Sequence, residues 1–101
     1  MLLQVLIAFH LAAAPVISQS ILTPLSLTVV IPRTPVRSSN IESIGYDEQA
    51  AILEVEFVNG SIYQYYNVPK RLYEGLMRAT SHGSYLATYI KDGGYKYRRI
   101  E

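Results

Sequence analysis

Hydrophobic and polar positions divide the chain into two unlike parts. Residues 1–32 contain no Lys, Arg, Asp or Glu, and their apolar positions show no sustained period. Beyond Arg33 the pattern becomes regular. Leu53, Val55 and Phe57 alternate with Glu54 and Glu56, a period of two that predicts a strand with one buried face. Ile41, Ile44 and Tyr46 mark a short strand before it. Asn59-Gly60 then turns the chain into a third strand carrying Ile62, Tyr63, Tyr65 and Tyr66. Loop length decides which of these side chains meet. A two-residue loop sets Glu56 opposite Tyr63 and Glu54 opposite Tyr65. A three-residue loop, with Gly60 left-handed, sets Val55 opposite Tyr63 and Leu53 opposite Tyr65. The second gathers the apolar groups on one face, and a one-residue slip would undo it, so it is the expected register. Tyr66 and Ile62 then point the other way, beside Glu54 and Glu56, and the three tyrosines do not form one platform.

After Pro69 the period lengthens. Pro69 suits the first turn of a helix, where its missing N–H costs nothing. Leu72, Tyr73, Leu76 and Met77 recur at helical spacing, with Arg71, Glu74 and Arg78 on the opposite face and Glu74–Arg78 as a favourable pair. Ser81 can cap a second helix with the stripe Tyr85, Leu86, Tyr89, Ile90, which Asp92-Gly93-Gly94 stops. Residues 95–100 alternate briefly and are a candidate C-terminal edge strand, with Lys96 and Arg98 on one side. The predicted class is α+β: a small antiparallel sheet of about three strands packed against two short helices, with that edge strand as an addition.

The expected organisation is an uncharged leader, residues 1–35, followed by one folded unit, residues 36–101. A unit that small is marginally stable unless its core is dry or a partner helps. With no cysteine in the chain there is no disulfide and no thiolate metal site. His10 and His82 do not form a metal pair, and neither a metal nor a cofactor is expected. The leader resembles a secretory signal, but no basic residue precedes its apolar run. As a membrane anchor it is interrupted by Gln4, His10, Pro15 and the cluster Ser18 to Ser20. A start of translation further downstream is the third reading. A cytoplasmic location is expected, with a membrane-anchored or secreted form through residues 1–32 as the alternative.

Net charge is +1, but the charges are segregated. Between Ser38 and Pro69 lie Glu42, Asp47, Glu48, Glu54 and Glu56, with no Lys or Arg. Lys70, Arg71, Arg78, Lys91, Lys96, Arg98 and Arg99 follow, against three acids. Two solvated faces attracting one another would produce this, and so would a site for an anionic partner. Catalytic signals are weak. Ser81 and His82 are adjacent on a turn and do not face each other as a dyad. Glu54 and Glu56 read as solvated strand carboxylates, and Gly93-Gly94 ends a helix where a phosphate loop would begin one. The expectation is that the chain is not an enzyme and has no small-molecule substrate. Asn59-Gly60-Ser61 matches a glycan acceptor triplet, which matters only in a secreted chain.

Binding is the stronger class. Basic side chains next to aromatic rings are what single-stranded RNA recognition uses, charge for phosphates and rings for bases. The candidates are Lys91, Tyr95, Lys96, Tyr97, Arg98 and Arg99, with Arg71 and Arg78 on the first helix. The competing structural reading packs Tyr95 and Tyr97 on the sheet. The rival functional class is a protein-interaction module, docking through a sheet edge or the face of Tyr66 and Ile62.

Three stretches, residues 38–47, 53–69 and 73–100, together resemble the KTSC domain, a family known from the C-terminus of some lysyl-tRNA synthetases and as small free-standing bacterial proteins. The hallmark is the central Tyr-x-Tyr, here Tyr63 and Tyr65, followed by Val68-Pro69. Ile44-Gly45-Tyr46-Asp47 and the spacing Ser81-x-Gly83-x-Tyr85 also match. The resemblance covers roughly Val36 to Glu101. It implies structural roles for those motif residues, no enzyme chemistry, and RNA binding by analogy with the synthetase context.

Overall fold

In the computed structural model, which describes residues 30–101, the hairpin around Asn59-Gly60 has the expected register. Leu53 faces Tyr65 and Val55 faces Tyr63. The loop is closed by Phe57 N–H donating to the Ser61 carbonyl at 2.8 Å and Gly60 N–H to the Phe57 carbonyl at 2.8 Å. Gly60 has φ of +94°, the left-handed conformation that a three-residue loop requires. The readings of the leader before residue 30 lie outside the described residues.

The sheet has five strands, not three with one addition: β1 (Arg33–Pro35), β2 (Ile41–Asp47), β3 (Ile52–Phe57), β4 (Ile62–Tyr66) and β5 (Tyr97–Arg99). Each pairs antiparallel with the next, in the spatial order of the chain. The unanticipated strand, β1, falls on the leader side of the boundary drawn at residue 36, and the compact unit takes in residues from Ile31. Three residues with Pro35 among them, and Pro32 just before, gave no period to read, and Pro is tolerated there because β1 is an edge. The register of β2 on β3 shifts between Ile41 and Ser43. That bulge lets Ile41 and Ile44, three apart, both face the helices.

Helix α1 (Lys70–Arg78) starts after Pro69, which sits extended at the N-cap position rather than inside the first turn. Leu76 is buried, with Leu72, Tyr73 and Met77 packed around it. Glu74 pairs with Lys70 at 4.0 Å rather than with Arg78, and Lys70 also reaches Glu48 at 3.3 Å. Helix α2 (His82–Tyr85) is capped by Ser81 Oγ, which accepts from Ser84 N–H at 3.2 Å. It continues through residues Leu86–Lys91 in a wider π-helical winding. Leu86 and Ile90 are buried there, whereas Tyr89 is 52% exposed.

The core lies between one face of the sheet and the helices. It joins Ile41, Ile44, Leu53, Val55 and Tyr65 of the strands to Val68, Leu76, Leu86 and Ile90. Tyr46 closes one end. Its ring stacks on Tyr73 with centroids 4.9 Å apart, and its hydroxyl donates to the Val68 carbonyl at 2.5 Å. Burial raises the Tyr46 pKa. The Tyr85 ring lies so close over Gly75 that a Cβ there would collide with it.

The opposite face carries a polar network. Glu54 is only 4% exposed. It pairs with Arg33 of β1 and accepts from Gln64 Nε2 at 2.8 Å. Arg33 Nε donates to Ser43 Oγ at 3.0 Å, and Ser43 in turn donates to Glu56 at 2.8 Å. The reading of Glu54 as a solvated carboxylate therefore fails: β1 brings a cation over it. Gly45 makes this approach feasible, since any Cβ there would collide with the Pro32 carbonyl oxygen.

Candidate functional site

Strand β5 turns a tyrosine pair into an aromatic wall. Its register sets Tyr97 opposite Tyr65 and Arg99 opposite Tyr63, all on the helix-facing side, while Arg98 lies opposite Gln64 on the other side. Tyr97 stands 6.0 Å from Tyr63 and 5.9 Å from Tyr65 between centroids. Phe57 meets Tyr63 edge-on at 5.8 Å. Tyr65 is buried, Tyr63 is half-buried, and Tyr97 is 64% exposed. Leu76, Leu86 and Ile90 of the helices pack with Ile44, Leu53, Val55 and Tyr65, and leave Tyr97 of β5 and the Phe57 end of β3 open.

The result is an open groove of about 630 Å³. Phe57, Tyr63, Tyr65 and Tyr97 form its aromatic wall, and Ser39, Asn40, Asn59, Ser61 and Lys91 supply its polar groups. Lys91 Nζ lies 5.2 Å from the centre of the Phe57 ring, a cation over an aromatic face. Burial, reinforced by Tyr63 and Tyr97, pushes the Tyr65 pKa up to about 12, so its phenol is neutral at physiological pH.

The eight residues proposed from sequence do not form one patch. Lys91 and Tyr97 line the groove, and Arg99 follows Tyr97 on the same face of the strand. Arg98 is on the opposite face, and Lys96, one residue before Tyr97, alternates to that side as well. Arg71 and Arg78 are exposed on α1, away from the groove lining. Tyr95 packs against the core and over Gly93. Phe57, Asn59 and Ser61 were not named as binding residues. The signal for Phe57 was its parity with Leu53 and Val55, and that for the other two was the turn that carries them back beside β4.

The candidate dyad residues are engaged elsewhere. Ser81 Oγ caps α2 and also contacts Ser84 Oγ at 3.0 Å. His82 Nδ1 is 2.8 Å from the Leu76 carbonyl, which can only accept, so this nitrogen carries the proton.

The profile of the KTSC domain matches residues 37–97. The chain belongs to the KTSC family. A KTSC domain protein from Yersinia pestis, known from its crystal structure, is 41% identical and superposes with a TM-score of 0.66, covering 71% of this chain and all of that one. A protein from Stutzerimonas stutzeri is 39% identical over 69 residues, 68% of this chain and 97% of its own length. A lysine–tRNA ligase from Nostoc punctiforme is 31% identical over 72 residues, 71% of this chain but 13% of the ligase. The KTSC signature residues now have physical roles in this chain. Tyr63 and Tyr65 build the wall between core and groove, Gly45 admits β1, Tyr46 ties down Val68, and Ser81 and Tyr85 fix α2 against α1. Among the described residues, no helix is long and apolar enough to cross a membrane.

Proposed function

We propose that this KTSC domain is a non-catalytic cytoplasmic module that binds single-stranded RNA in the β4–β5 groove. Tyr97 offers a base its open face, Phe57 and Tyr63 wall the site, and Lys91 and Arg99 meet phosphates. The observation carrying this reading is the 64% exposed Tyr97 ring in a groove that also holds Lys91. An exposed ring beside a cation is the pairing that sequence-tolerant RNA binding uses, and stacking contributes about 1–3 kcal/mol per base. The similarity to lysine–tRNA ligases supports it, since a weak RNA contact is useful beside a stronger one on the same chain. The engagement of Glu54, Glu56, Ser81 and His82 in structural hydrogen bonds supports the non-catalytic part.

The test is fluorescence anisotropy of a labelled single-stranded RNA titrated with the full chain at several salt concentrations. Two or three phosphate contacts predict a log K against log salt slope of about −1.4 to −2.1. Tyr97→Ala should weaken binding without flattening the slope, and Lys91→Glu should do both. No measurable affinity at low ionic strength would overturn the RNA reading in favour of protein docking along the exposed β5 edge.

A further inference from the structure

A second cavity, of about 520 Å³, adjoins the groove and shares Ser39 and Asn40 with it as a common rim. Arg37, Ser38, Thr80, Ser81, His82 and Ser84 supply the rest of its polar groups. Neither cavity is lined by a carboxylate, although the chain carries eight acids against nine Lys and Arg. Each is lined by one cation, Lys91 in the groove and Arg37 in the second cavity. Arg37 is exposed, and among the described residues no carboxylate lies within ion-pair distance of it. A guanidinium among hydroxyls is the donor set from which phosphate contacts are made, Arg for the charge and Ser or Thr for the remaining oxygens.

The rim between the cavities is held from both sides. Ser38 Oγ accepts from Asn40 N–H at 3.3 Å and Ile41 N–H at 3.2 Å, and donates to Asn40 Oδ1 at 3.0 Å. Asn40 in turn lies so close to Gly83 that a Cβ there would collide with Oδ1. That contact gives the glycine of Ser81-x-Gly83-x-Tyr85 its reason and fixes the β1–β2 turn against α2. One side of that helix runs along both cavities: Ser84 and Ala87 line the second and Lys91 the groove, at spacings of three and four that share a face. Ser84 and Lys91 are at most about 10 Å apart along the axis.

Resting on the RNA reading above, we infer that the Arg37 cavity is a phosphate subsite for the same strand, which runs from Tyr97 and Lys91 across the Ser39–Asn40 rim. Arg37 is then the third phosphate contact beside Lys91 and Arg99, brought to them by the fold from the far end of the domain sequence.

The experiment titrates a labelled oligouridylate with the full chain, with Arg37→Gln and with Arg71→Gln over a range of salt concentrations. Arg71 is exposed near the start of α1 and lines neither cavity, so its variant removes the same unit of charge without touching the subsite. Each phosphate contact on a single strand contributes about 0.7 to the slope of log K against log salt, which is about fivefold in affinity at about 0.1 M salt. The wild-type slope is expected at about −2.1, and that of Arg37→Gln at about −1.4 with about fivefold weaker binding. Arg71→Gln should keep the wild-type slope. Thermal melts of both variants should match the wild type, because exposed charges contribute little to stability. An unchanged slope in Arg37→Gln, or equal losses in the two variants, would overturn the subsite and leave RNA in the Tyr97 groove alone. No affinity of the wild type for the oligonucleotide at low ionic strength would overturn both.

Discussion

Replacing Arg33 with alanine tests whether β1 belongs to the folded unit in energetic terms. Arg33 pairs with Glu54, whose side chain is 6% exposed, while the arginine side chain is 28% exposed. Removing one partner of a buried pair leaves an uncompensated charge and costs about 3–5 kcal/mol. Two facts place this case at the low end. Water reaches the arginine side, and Gln64 continues to donate to Glu54 at 2.8 Å. The expected loss is therefore about 3 kcal/mol, against about 0–1 kcal/mol for a solvent-exposed pair. For a domain this size that is roughly half the total stability. Urea unfolding followed by circular dichroism should show a lower midpoint with an unchanged slope. Adding Glu54→Gln to Arg33→Ala should recover part of the loss, because the residual cost is the buried charge and not a missing shape. A loss below about 1 kcal/mol, or no recovery in the double variant, would refute the account of Glu54 as a buried, paired carboxylate.

Other consequences are open to direct measurement. Tyr65→Ala should cost about 3–5 kcal/mol, since the ring is 3% exposed within the core, whereas Tyr66→Ala, on the other face, should cost much less; denaturant melts of the two variants check the order. The raised Tyr65 pKa favours the neutral phenol in the folded state, so its contribution is complete below the unfolded value of 10.0 and is lost as pH climbs towards about 12. Stability should fall by about 2–3 kcal/mol across that window, and Tyr65→Phe should flatten the fall. Ala51 holds φ of +57°, a left-handed conformation unfavourable for a residue with a Cβ, so Ala51→Gly should raise stability by about 0.5–1 kcal/mol, read as a higher melting temperature.

The parts of the fold readable from sequence were those governed by short-range rules. The β3–β4 register followed from parity and one glycine, because a slip of one residue would have sent Leu53 and Val55 to the polar face. The helix stripes followed from spacing, as Leu76, Leu86 and Ile90 show. Strand β1 was not readable, since Arg33-Thr34-Pro35 is too short for a period and its purpose appears only when Arg33 meets Glu54, twenty-one positions away. The candidate site shows the same limit. Proximity in sequence grouped Lys91 with Tyr97, and both line the groove, but alternation along β5 separates Arg98 from Arg99, and that requires knowing which residue of β4 each faces.

The strand order of the sheet has a kinetic meaning. The first three pairings are closed by short connections, residues 36–40, 48–51 and 58–61, whereas β4 and β5 meet only across the whole of residues 67–96. Loop-closure entropy rises with that separation, and contacts distant in sequence are made late. The groove lies at this one long-range seam. It is therefore the last part of the domain to assemble and the first to open. Strand β5 is held to β4 by its three-residue register and by flanking backbone bonds of Lys96, Ile100 and Glu101, all of them to β4 alone, so its opening leaves the Ile44–Leu53–Val55 core intact. A ligand held between Tyr97 and Lys91 would act as a clasp on that seam, slowing an opening that the rest of the domain does not feel.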